Sequence, residues 1–116
     1  MKDLRKLLTH IPERPAKPRQ EGLTMVMDKG LSLREAEDFA SVGSEYTDFV
    51  KLGFGTSVIT PDVDRKIKVY HKAGMRTYFG GTLFEAFVIR GMFNEYVELM
   101  RSSGMKMAEI SDGSYE

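Results

Sequence analysis

Asp48-Phe49-Val50-Lys51-Leu52-Gly53-Phe54-Gly55-Thr56-Ser57 is the stretch on which the fold turns. An apolar run that is short and bounded by glycines fits a strand better than a helix. Side chains along a strand alternate, so Val50, Leu52 and Phe54 share one face while Phe49, Lys51 and Gly53 share the other. A strand with a lysine inside it, running into a glycine loop, suits a parallel α/β protein, whose ligands bind at the carboxyl ends of the strands.

The same unit recurs on both sides. Upstream, residues 23–27 form an apolar strand ending in Asp28-Lys29-Gly30, and Ser32 with Glu35 makes a capping box for a helix whose buried stripe is Ala36, Phe39 and Ala40. Downstream, Thr60 and Pro61 suit N-cap and N1 of a helix with Val63, Ile67 and Tyr70 on one face. Gly74 ends that helix, residues 75–79 form a third strand, and the loop Gly80-Gly81 leads to a second capping box, Thr82 with Glu85. Gly91 interrupts the helical stretch after it, so a short helix and then a longer one over 94–102 are expected. Gly104 closes it, and residues 105–110 are expected as a fourth strand running into Ser111-Asp112-Gly113.

Strand starts recur about every 25–30 residues, the size of a βα unit, so the strands must be parallel. Two architectures satisfy this pattern: an open four-stranded doubly wound sheet, or four of the eight strands of a TIM barrel. Alternation favours the half-barrel. With Met25 and Met27 turned toward the helices, Asp28, Lys51 and Glu109 fall on the opposite, inner face near the strand ends. A sheet covered by helices on both faces would be more uniformly apolar.

Residues 1–20 form a separate segment. Pro12, Pro15 and Pro18 block regular structure, and basic residues outnumber acidic ones. An extended arm with one short helical turn at its start is expected, solvated rather than facing a partner or a phosphate. Residues 21–116 make up the half-barrel. The 17 basic and 17 acidic residues balance, which disfavours nucleic acid as a partner. The chain has no cysteine, excluding thiolate metal sites and a cysteine nucleophile, and its two histidines are too few for a histidine metal centre. No apolar run is long enough to cross a membrane, and a cytoplasmic protein is expected.

Four motifs in order, 22–30, 48–57, 80–85 and 109–113, resemble the phosphosulfolactate synthase family. The resemblance implies a magnesium-dependent lyase of TIM-barrel fold, of the coenzyme M biosynthesis type, that adds sulfite to phosphoenolpyruvate. A non-catalytic relative, of the plant heat-stress-associated type or a half-barrel protein with a binding or structural role, is the alternative. Family members carry about eight βα units, twice the number read here.

Attack of sulfite on phosphoenolpyruvate pushes negative charge onto the substrate carboxylate and then requires a proton. Lys51, on the inner face, is the first candidate for acid or anion clamp. Glu109 is the second catalytic candidate, since an inward carboxylate in a strand needs a partner or a metal. Asp28, Glu109 and Asp112 are the candidate Mg²⁺ ligands. Lys29, Gly53, Gly55, Gly80 and Gly81 are candidates for holding the substrate's phosphate or sulfite, although tight turns alone also call for such glycines. Glu85 is accounted for by capping. His71 is expected in surface or packing duty, and the methionines as core filler. A half-barrel also has unpaired edges and an open inner face carrying Val26, Phe49 and Met107, so homo-oligomers are expected.

Overall fold

The computed structural model describes residues 6–113. Three strands, β1 (Met25–Asp28), β2 (Phe49–Leu52) and β3 (Arg76–Phe79), form one parallel sheet in the order β1-β2-β3. Four α-helices follow them: α1 (Leu33–Gly43) after β1, α2 (Val63–Lys72) after β2, then α3 (Gly81–Val88) and α4 (Phe93–Ser102) after β3. The α/β alternation is as expected; a closed barrel is not present in this sheet.

Local chemistry explains most boundaries. Ser32 Oγ accepts from Glu35 N at 3.1 Å and Glu35 Oε1 accepts from Ser32 N at 3.0 Å, closing the capping box of α1. Gly74 (φ 85°) turns the chain out of α2, its N–H donating to His71 O while Met75 N donates to Tyr70 O. Gly91 does separate α3 from α4.

Two expected caps are not made. α2 starts after Asp62, which sits in the left-handed region (φ 58°), and Thr60 Oγ1 instead donates to Thr56 O of the preceding 3₁₀ turn (Thr56–Val58). α3 starts two residues earlier than Thr82 as N-cap would allow, its N-cap is Gly80, and no side chain caps it. Thr82 is exposed while Glu85 is buried, so the two residues do not form a box.

The core lies on one side of the sheet. Val50 and Leu52 of β2 and Phe79 of β3 pack with Ala36 and Ala40 of α1 and Ile67 and Tyr70 of α2. Parallel partners in register point the same way, so Met27, Lys51 and Tyr78 share the other, open face, and Met25 and Phe49 share it too. β1 is thereby turned over relative to expectation. Val26 and Asp28 face the helices beside Val50 and Leu52, and the two methionines face the open side. Apolar residues stand on both faces of this four-residue strand, so its pattern does not fix which is which, and one position of slip reverses it.

Residues 105–110 take no regular secondary structure and join no ladder, so the expected fourth strand is not formed. Between them and β3 lies a cleft of about 490 Å³ lined by His71, Gly74, Arg76, Thr77, Gly104 and Lys106. Their placement rests on side chains rather than on backbone pairing.

The arm stays exposed along most of its described length, as expected, yet its basic residues tie it down. Arg19 donates to Asp48 Oδ1 at 2.9 Å, Glu45 O at 2.7 Å and Pro15 O at 2.8 Å. Arg14 donates to Gly22 O, Thr24 Oγ1 and Tyr46 O, and Lys17 Nζ to Gly74 O. All of these lie at the amino ends of the strands, away from any phosphate site at their carboxyl ends. The helical turn expected at the start of the arm falls largely on residues outside those described.

Candidate active site

Lys51 rises from β2 on the open face, and Glu109 meets it from the segment after α4. Lys51 Nζ donates to Glu109 Oε2 at 2.7 Å, and the N–H of Gly81 donates to Glu109 Oε1 at 2.7 Å. Gly81 is the first residue of α3, so its N–H has no partner within the helix, and a carboxylate there also meets the positive end of the helix dipole. The side chains of Lys51 and Glu109 are 16% and 34% exposed, so the pair is partly shielded yet open to solutes. The Lys51 ammonium holds the Glu109 carboxyl below its ordinary value; burial opposes this, and the Gly81 N–H adds to it. Glu109 is therefore an ionised carboxylate at neutral pH.

Tyr78, the register partner of Lys51 on β3, is buried on the same face. Burial raises its phenol, with Lys51 opposing and Glu109 reinforcing the rise. The expectations from sequence missed it, although its position one strand over from Lys51 and two residues before Gly80 marks it out.

The glycines pack closely against this cluster. A Cβ on Gly80 would come 3.0 Å from Lys51 Cε, and one on Gly81 would lie 2.9 Å from Glu109 Oε1 and collide with Ser111. A Cβ on Gly53 would meet the Met27 side chain at 2.8 Å, and Gly55 (φ 69°) requires the left-handed region. Each glycine thus has a reason within the fold. Lys29 is exposed, its Nζ 5.6 Å from the ring of Phe54, which itself sits at φ 56°. Asp112 is exposed beyond Ser111.

Asp28 is not part of this cluster. It lies on the helix side, 1% exposed, with Oδ1 accepting from Gly30 N and Leu31 N and Oδ2 from Tyr70 Oη at 2.7 Å. Lys66 Nζ sits 3.0 Å from Oδ2 and also donates to Leu31 O. Burial pushes the Asp28 carboxyl up, but these donors outweigh it and leave it below its ordinary value. Among the described residues no group of three or more histidines, aspartates or glutamates is placed to share a metal ion. The expected trio Asp28, Glu109 and Asp112 is accordingly not assembled. Lys66 was overlooked as its partner, although its spacing from Val63 and Tyr70 puts it on the inward stripe of α2.

The sequence model of the (2R)-phospho-3-sulfolactate synthase (ComA) family matches residues 12–116, which include all four motifs and both members of the Lys51–Glu109 pair. The chain belongs to this family.

Phosphosulfolactate synthases that it resembles include one from Methanocaldococcus jannaschii, 47% identical over 97 residues, covering 82% of this chain and 39% of the relative. A second, from Methanothermobacter thermautotrophicus, is 39% identical over 107 residues, covering 90% and 42%. A third, from Bacillus subtilis, is 38% identical over 104 residues, covering 90% and 41%. The chain therefore spans about two fifths of the length of these relatives. The family match begins at Pro12, so Arg14 and Arg19 of the docked arm fall within it. Among the described residues no helix is long and apolar enough to cross a membrane.

Proposed function

We propose that this chain supplies the front part of a phosphosulfolactate synthase active site, in which sulfite adds to phosphoenolpyruvate. The observation that carries this is the Lys51–Glu109 pair at the carboxyl ends of the strands, set on the N-terminus of α3 in a chain of this family. The parent fold we propose is a (β/α)₈ barrel, cytoplasmic and oligomeric, with these βα units at its front.

In the reaction the sulfur lone pair of sulfite forms a bond to C3 of phosphoenolpyruvate. The C2–C3 π pair moves toward C2 and spreads into the carboxylate as an enediolate, and C2 then takes up a proton. The Lys51 ammonium faces the charge that develops and is our choice for that proton's source. Glu109 holds Lys51 in place through its hydrogen bond. Lys29 and the loops at Gly53-Gly55 and Gly80-Gly81 are proposed to receive the phosphate and sulfite oxygens.

Glu109 and Asp112 are the carboxylates proposed to hold magnesium, an ion that commonly takes one or two beside water and substrate oxygens; Asp28 leaves the set. When bound there, the ion would supply charge stabilisation for the enediolate.

The test is sulfite consumption with phosphoenolpyruvate and Mg²⁺. It is measured in this chain and in a chimera carrying residues 12–113 in place of the matched part of the M. jannaschii relative. Lys51→Ala should lower turnover at least about 100-fold. Unchanged turnover would remove Lys51 from its role, and an inactive, folded chimera would favour a non-catalytic relative.

A further inference from the structure

We propose that Glu85 is a positioning residue that acts through Ser111 to fix the Glu109 carboxylate against Lys51 and the N-terminus of α3. The role deepens the lyase proposal and rests on it for its link to turnover; its geometry can be tested without turnover.

Glu85 lies in the second turn of α3 and is only 5% exposed. A carboxylate taken so far from water needs donors. Capping does not supply them, because α3 has no side-chain cap. Instead Glu85 Oε2 accepts from Ser111 Oγ at 2.9 Å. Ser111 in turn lies against Gly81, and Glu109 two residues earlier accepts the Gly81 N–H. Residues 109–111 are thus laid across the start of α3 and held at both ends, by Gly81 and Lys51 on Glu109 and by Glu85 on Ser111.

This matters because residues 105–110 join no ladder. A strand paired along its backbone would hold Glu109 in register whatever its neighbours did. Here the side-chain tethers carry that task, and Glu85 provides the one from within the helix. Gly81 completes the device, since any side chain there would displace both Ser111 and Glu109.

The experiment uses the full 116-residue chain labelled with ¹⁵N, with thermal unfolding as the check of folding. The two readouts are exchange of the Gly81 N–H and the ¹⁵Nζ signal of Lys51. Ser111→Ala, a small change at a partly exposed site, should speed Gly81 exchange about fivefold to tenfold and shift the Lys51 signal, with the amides of α1 unchanged. Glu85→Gln keeps an accepting oxygen and should retain wild-type values. Glu85→Ala should reproduce Ser111→Ala, and the double variant should add nothing further, as expected for two ends of one bond. Wild-type Gly81 and Lys51 signals in a folded Ser111→Ala chain would overturn the proposal on their own, even if Glu85→Ala failed to fold. Independent, additive effects of the two substitutions would overturn it as well.

In the turnover assay Ser111→Ala should lower kcat while KM for phosphoenolpyruvate stays within about twofold. A folded chimera that consumes no sulfite, beside a wild-type chain that shows the spectral coupling, would remove the lyase proposal and leave Glu85 in its positioning role.

Discussion

Asp28→Asn separates the two possible placements of β1. In the structure Asp28 is sealed beneath α2 with Tyr70 and the 2% exposed ammonium of Lys66. An asparagine can keep one oxygen for the N–H groups of Gly30 and Leu31, but its amide nitrogen then faces two donors, Tyr70 Oη and Lys66 Nζ. The Lys66 charge loses its counterion in a site closed to water. Breaking a buried pair in this way costs about 3–5 kcal/mol, a third or more of the usual stability of a domain of this size. With a urea dependence of about 2 kcal/mol per molar, the unfolding midpoint should fall by about 2 M with the slope unchanged.

The partner variants sharpen the test. Lys66→Met leaves Asp28 with Tyr70 and two backbone N–H groups and should cost only about 1–3 kcal/mol. Asp28→Asn combined with Lys66→Met should be more stable than Asp28→Asn alone, because the orphaned charge is gone. Were Asp28 an open-face metal ligand, its substitution would shift the midpoint by less than about 0.5 M without Mg²⁺ and would abolish any stabilisation by Mg²⁺. Either result would refute the placement.

Arg19→Ala should cost about 3 kcal/mol, since its side chain is 3% exposed and it leaves the buried Asp48 without its main counter-charge; the arm should then be cut faster in limited proteolysis, and an unchanged Tm with unchanged cleavage would contradict the docking. Stability should fall with acid in two stages. Burial lowers His71 from 6.5, so its contribution is full above pH 6.5 and fades as pH drops through its folded value, a shallow stage that His71→Gln should remove. Asp28, Asp48 and Glu109 all stand below their ordinary 3.8 or 4.5, so what they contribute is full above those values and is lost as pH falls through their folded ones, a steep stage visible by circular dichroism. The isolated chain should self-associate, because β1 is paired on one side only and Met25 and Phe49 stand on the uncovered face; a monomer by light scattering at high concentration would contradict this.

What the sequence made legible was whatever local chemistry decides. Ser32 and Glu35 find each other across one turn, Gly74 and Gly104 end helices by their own backbone freedom, and the apolar face of Val50 and Leu52 can only be buried. The failures share a different cause. Thr82-x-x-Glu85 has the spacing of a capping box, yet Ser111, distant in sequence, claims Glu85. Thr60-Pro61 has the composition of a helix start, yet Thr60 closes the turn before it. A proline-rich basic arm, exposed as expected, gives no local sign of its tethers, because Asp48 and the carbonyls of Glu45 and Tyr46 must be folded into place to receive its arginines. In each case another partner overrides the expected motif, distant in sequence for Glu85 and the arm and one turn back for Thr60.

The candidate site divides along the same line. Lys51 was legible because a lysine inside an apolar strand has one face to occupy once Val50 and Leu52 are buried. Asp28 was not, because Met25, Val26 and Met27 give β1 no such asymmetry, and its parity is settled only by pairing with β2 and by Lys66 arriving from α2. The correction also changes what the site can be. With Asp28 committed to holding α2 against β1, the charged groups left at the strand ends come from β2, the start of α3 and residues 109–112. The first two are anchored by the sheet and core, the third by side chains alone. The site's geometry is therefore only as firm as the bonds from Lys51, Gly81 and Glu85 to that last segment, and substitutions there should disturb the site before they disturb the fold.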